Sequence, residues 1–175
     1  MTDAVILTGT VGAGKTTTMH ALGALLAERG IPHALVDMDA VRLLRPAPRT
    51  DPFQQELALR NLGDLGDLSR NYHEAGASVV IVAAVVERAE DLASYAAALG
   101  SRDPLLVRLT VDAAEVQARI EERHLDDAHA LAWHSARAPE LAAIIDRAGL
   151  GGHAIDTTSR TPAEVAAVIA DRAGW

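Results

Sequence analysis

The chain has 175 residues, 49% hydrophobic and 23% charged, which is enough apolar content for a core and too much for intrinsic disorder. A net charge of −8 argues against nucleic acid or an anionic membrane as the main partner, but leaves room for a local positive site that grips a nucleotide. With no cysteine, disulfides and thiolate metal sites are excluded.

Asp3 sits where a signal peptide carries positive charge, and the apolar stretch 4–7 is too short for a signal core. The longest apolar run, 79–86, has the length of a buried strand and cannot span a bilayer. The expectation is a soluble cytoplasmic protein.

In chain order, residues 4–8 are a short apolar run that ends in a Gly-rich turn, which reads as a buried strand. Residues 14–29 read as a helix closed by Gly30 and Pro32. A second strand follows at 33–37 and a short helix at 39–44. The stretch 45–50, with two prolines, forms no regular structure. Asp51-Pro52 is a cap followed by a first-turn proline, opening a helix that runs to about Glu74 with Leu62, Leu65, Leu68 and Tyr72 near one face. Strands are expected at 78–85, 105–111 and 154–155. Helices are expected at 89–99, 113–123, 139–148 and 161–172, with a polar stretch at 124–138. Strands alternating with helices imply an α/β fold, a parallel sheet covered on both faces, in a single domain spanning 1–175.

The first strand runs into Gly9-Thr10-Val11-Gly12-Ala13-Gly14-Lys15-Thr16, which fits the phosphate-loop pattern G-x-x-x-x-G-K-[ST] at every fixed position. Gly9, Gly12 and Gly14 let the backbone turn and let phosphate oxygens approach the amides, including that of Ala13. The helix N-terminus adds free N–H groups and partial positive charge. Lys15 is the sole lysine among 16 basic residues, and a compact ammonium can reach the β and γ phosphates where a planar guanidinium does not substitute. Thr16 can offer its hydroxyl to Mg²⁺. Thr17 either touches the α-phosphate or simply adds polarity to the first turn.

Asp37-Met38-Asp39-Ala40-Val41-Arg42 closes the second strand, and strand C-termini in a doubly wound sheet face the ligand crevice. Phosphoryl transfer needs alignment, charge neutralisation and a group to take the acceptor's proton. Asp39 is the first candidate for that base. Asp37 is a candidate ligand of Mg²⁺, directly or through water, and either acid can instead cap the next turn. Arg42 is a candidate substrate contact or a solvated arginine.

Together these residues resemble the small P-loop kinases grouped around adenylylsulfate kinase, gluconate kinase and chloramphenicol phosphotransferase. Adenylylsulfate kinases carry Asp-Gly-Asp-Asn-Val-Arg after the second strand, and residues 37–42 are similar, with Met38 and Ala40 in place of the glycine and asparagine. Phe53 and Arg60-Asn61 are placed like that family's substrate-contacting residues, and the third strand likewise ends without an acid, Glu87 coming only later. The resemblance implies a P-loop three-layer sandwich, a five-stranded parallel sheet in the order 2-3-1-4-5, and a small lid at about 124–138. It implies that Arg119, Arg123 and Arg137 serve the nucleotide phosphates and base, and that Thr157 lies near the base. It further implies an ATP- and Mg²⁺-dependent kinase acting on a small molecule, monomeric or homodimeric. A nucleotide-binding regulatory protein with little transfer activity is the alternative.

Weaker signals stay open. Phe53 either stacks on substrate or pins the start of its helix. Trp133-His134 either covers a ligand or docks the lid. His124, His129 and His134 recur every five residues, which spreads them around a helix instead of forming a metal site.

Overall fold

The computed structural model describes residues 2–42, 44, 49–50, 54–150 and 152–175. Its five strands are β1 (Ala4–Thr8), β2 (His33–Asp37), β3 (Val79–Ala83), β4 (Leu105–Thr110) and β5 (His153–Asp156). They form one parallel sheet in the order β2-β3-β1-β4-β5. This is the order that the family resemblance implied.

Strand pleating sends alternate side chains to opposite faces. Val5 and Leu7 of β1 join Ile81 and Leu109 on one face, where α1 (Lys15–Glu28) and α7 (Pro162–Ala173) cover them through Met19, Leu22, Leu26, Val165 and Ile169. Ala4 and Ile6 join Val80 and Val82 on the other face, under Leu65 of α3 (Leu62–Glu74) and Tyr95 and Leu99 of α4 (Ala89–Leu99). All five β1 residues are buried, as a strand covered on both sides requires. Two layers of helix around one sheet complete the expected sandwich.

Two helices differ from the sequence expectation. The long helix toward Glu74 is interrupted at Asn61, which separates α2 (Gln55–Arg60) from α3. At this break the Asn61 side-chain amide donates to the Val41 carbonyl at 2.6 Å, while its backbone N–H still reaches the Leu57 carbonyl at 3.0 Å. The expected cap and aromatic at 51–53 lie outside the described residues. On α3, Leu65 is buried while Leu68 and Tyr72 remain partly exposed.

The helix expected to begin at Pro139 begins eleven residues earlier. It follows α5 (Ala113–Arg123), spans Ala128–Ala148 as α6 and carries Pro139 inside it. Asp127 caps its start by accepting from the Ala130 amide at 2.9 Å. Proline removes one helical hydrogen bond. Ala138, Leu141 and Ile145 bury around it against Val116, Ile120 and Val85, which outweighs the loss. The stretch 124–138 is therefore a short turn followed by helix.

Candidate active site

The phosphate loop leaves β1 at its C-terminal end. Gly9 passes so close to β4 that a Cβ there would lie 2.5 Å from the Leu109 carbonyl oxygen. Gly14 opens α1 in the left-handed region at φ 86, and no side chain caps the helix. No acid lies in the first turn of α1, whereas α4, α5 and α7 all carry one. The opening amides of α1 therefore present positive potential to the crevice, with no acid in the helix's own first turn to quench it. Lys15 is buried and folds back over the loop, donating to the Gly9 and Thr10 carbonyls at 3.1 and 3.2 Å.

The acids after β2 meet this loop. Thr16 Oγ1 donates to Asp37 Oδ2 at 2.7 Å, and Asp37 Oδ1 accepts from the Asp39 amide at 2.9 Å. Asp37 thus has a capping role toward Asp39 and a direct contact with the loop. A hydroxyl and a carboxylate meeting beside a phosphate cradle are the hard oxygen donors that Mg²⁺ takes, so these two residues fit that ion. Asp39 is half-buried, and its Oδ1 is enclosed.

On the β4 side, Arg119 of α5 holds the loop from behind. Its guanidinium donates to the Gly12 carbonyl at 3.3 Å, to the Thr157 hydroxyl at 3.2 Å and to the Thr157 carbonyl at 2.8 Å, while Glu115 anchors its Nε at 2.8 Å. The buried Thr157 hydroxyl also lies 3.3 Å from the Ala13 carbonyl. Arg119 and Thr157 are thereby joined to the phosphate loop.

Helix α6 also meets the phosphate loop. The Thr10 hydroxyl donates to the Ala138 carbonyl at 2.6 Å, tying loop to helix. Arg137 is buried and pairs with Glu87 at 2.6 Å and with Glu140 at 3.0 Å. Glu87 follows the acid-free end of β3, so the acid missing from the strand terminus is supplied four residues later and engages an arginine. Residues Thr10 and Glu87 were not among the sequence candidates. Nothing in their spacing marks them, since both are defined by contact with α6.

The remaining candidates fall differently. Arg123 is exposed at the end of α5, and Thr17 is exposed in the first turn of α1. Arg60 lies on the surface with 78% of its side chain exposed, 4.0 Å from Glu56, and Asn61 is engaged with Val41. Arg42 ends a short 3-10 turn, Ala40–Arg42. Phe53 lies outside the described residues. No group of metal-ligating side chains forms a cluster among the described residues, the three spaced histidines included. Two of those histidines nevertheless meet. His124 and His134 stack with centroids 4.5 Å apart and planes 10° from parallel, pinning the turn between α5 and α6. His134 has its pKa lowered, chiefly by burial. The Ala130 hydrogen bond opposes this, His124 and Arg123 add to it, and Asp39 opposes it.

A phosphate loop at the head of a 2-3-1-4-5 parallel sheet defines a P-loop protein of the kinase type. The adenylylsulphate kinase family model matches residues 1–125, and the chain belongs to that family. It is a phosphotransferase. No curated protein matches the chain. Among solved structures, the adenylylsulfate kinase of Mycobacterium tuberculosis in complex with AMPPNP and APS is 20% identical, with TM-score 0.64, covering 99% of this chain and 98% of its own. The tunicamycin resistance protein of Deinococcus radiodurans is 21% identical, with TM-score 0.63 and coverage of 99% and 96%. The shikimate kinase of Acinetobacter baumannii in complex with shikimate is 18% identical, with TM-score 0.62 and coverage of 99% and 93%. These likenesses establish the fold. No helix among the described residues is long and apolar enough to cross a membrane.

Proposed function

We propose that the protein binds ATP with Mg²⁺ and transfers the γ-phosphate to a hydroxyl of a small molecule held at Asp39. The observation that carries this reading is the chain of contacts from Thr16 to Asp37 to the Asp39 amide, at 2.7 and 2.9 Å, at the mouth of an uncapped helix. Loop amides and Lys15 hold the β and γ phosphates. Thr16 and Asp37 would hold Mg²⁺, which would supply charge neutralisation to the polyphosphate. Asp39 takes the proton from the acceptor hydroxyl as its oxygen bonds to the γ-phosphorus, and the bond to the β–γ bridging oxygen breaks to leave ADP. Arg119 and Thr157 line the far side of the loop, where the α-phosphate and base lie. Arg123 is the exposed arginine of this region that can reach the phosphates from α5, and Arg137 sets the position of α6 through Glu87. Arg60 and Asn61 are the described residues assigned to the acceptor side. The segment 124–138 acts as the lid.

The test is phosphate transfer from ATP against a panel of hydroxylated metabolites, sulfonucleotides and antibiotics, read by mass spectrometry. The panel includes adenylylsulfate and shikimate, the compounds present in the complexes of two structural relatives. Calorimetry that finds no Mg²⁺-dependent affinity for a purine triphosphate in folded protein would overturn the reading.

A further inference from the structure

Helix α6 carries a polar group, His134, within electrostatic reach of Asp39. His134 precedes Ala138 by four residues, so the two share one face of α6. Ala138 lies on the inward side of that helix, packed on Val116 and Ile120 with its carbonyl on Thr10 of the phosphate loop. Leu131, three residues before His134, packs into the same cluster. His134 is half-buried and lies within electrostatic reach of Asp39.

Its ring is fixed in three ways. Nδ1 lies 2.8 Å from the Ala130 carbonyl, which can only accept, so Nδ1 carries the proton and Nε2 keeps its lone pair in the neutral ring. His124 stacks on one face, and Trp133 meets the ring edge-on at 4.6 Å between centroids. No described residue donates to Nε2. The surroundings carry further unmet hydrogen-bonding capacity. His124 Nε2 and the hydroxyl of Ser135, the residue beside His134, are buried without a partner among the described residues. Buried polar groups are rarely left so, which marks the hairpin around His134 as a polar one.

We propose that His134 is a specificity-determining residue of the acceptor site, its Nε2 accepting a hydrogen bond from a second donor on the substrate while Asp39 holds the hydroxyl to be phosphorylated. This rests on the kinase reading above and narrows it. The acceptor is a compound with a second hydroxyl or an amide N–H near the reacting hydroxyl, and a simple monohydric alcohol is a poor substrate. His134 lies beyond the matched residues 1–125, so family membership does not assign it this role.

Two measurements test it. The first needs neither nucleotide nor acceptor, so it stays informative if no transfer is found. Ring-nitrogen NMR of the nucleotide-free protein should show His134 protonated on Nδ1 when neutral, and Asp39→Asn should lower its titration midpoint by removing a nearby carboxylate. A midpoint unmoved by Asp39→Asn, or a ring protonated on Nε2, overturns the proposal. The second uses the hydroxylated compound phosphorylated fastest in the transfer panel. His134→Phe keeps an aromatic ring on His124 but loses the acceptor atom, and should raise the KM for that compound about tenfold with the KM for ATP unchanged. His134→Gln returns an acceptor near the Nε2 position and should recover most of that loss. If His134→Phe behaves as wild type, or if Gln is no better than Phe, the residue serves packing alone and the proposal fails.

Discussion

Thr16 Oγ1 and Asp37 Oδ2 lie 2.7 Å apart although 21 residues separate them in the chain. One stands on the first turn of α1 and the other ends β2, so the contact spans the crevice from loop to acid. Asp37→Ala removes one hard donor and the brace on the Asp39 amide. The expected outcome is a loss of Mg²⁺-dependent nucleotide affinity of about tenfold, with little change in affinity measured without the metal. Calorimetry with and without Mg²⁺ checks this.

Asp39→Asn should separate binding from chemistry. The amide keeps the shape of the carboxylate and cannot take a proton, so turnover is expected to fall by about 10²–10⁴-fold. Nucleotide affinity should stay within about threefold of wild type. Steady-state kinetics with a panel acceptor, alongside calorimetry, reads both.

Lys15→Ala should abolish transfer, and Lys15→Arg should not restore it. The pocket holds a compact ammonium against the Gly9 and Thr10 carbonyls at 3.1 and 3.2 Å, and a planar fork does not fit that geometry. Gly9→Ala should also fail to bind nucleotide well, because its Cβ would have to displace the Leu109 backbone. Circular dichroism separates loss of function from loss of fold.

Arg137→Met should destabilise the protein. The change leaves Glu87, with only 17% of its side chain exposed, without its closest cation, at a cost of about 2–4 kcal/mol. Glu87→Gln combined with Arg137→Met should cost less than the two single effects added, which a double-mutant cycle in urea measures.

Acidification should weaken the fold through His134. Its folded pKa is held below 6.5, mainly by burial. In the window beneath that value the unfolded chain binds more protons, so stability is retained above it and lost as pH falls through the folded pKa. Urea midpoints compared between about pH 7.5 and pH 5.5 should fall less for His134→Phe than for wild type.

By itself the sequence determined the phosphate loop, the strand–helix alternation and the acids at the crevice. Each of these rests on local information: glycines and a lysine at fixed spacing, apolar runs of strand length, and charged residues just past a strand. The strand order came through family resemblance, and the sheet has that order. Tertiary structure alone decided that Pro139 lies inside a helix, since burial of Ala138, Leu141 and Ile145 overrides a local breaker. It also decided that the Asn61 side chain, at the break between two helices, reaches the Val41 carbonyl, that Arg137 faces Glu87 across 50 residues, and that two of three evenly spaced histidines stack. These are meetings of distant segments, whose energies depend on enclosure and on which side chains arrive opposite one another, and no spacing along a chain encodes that.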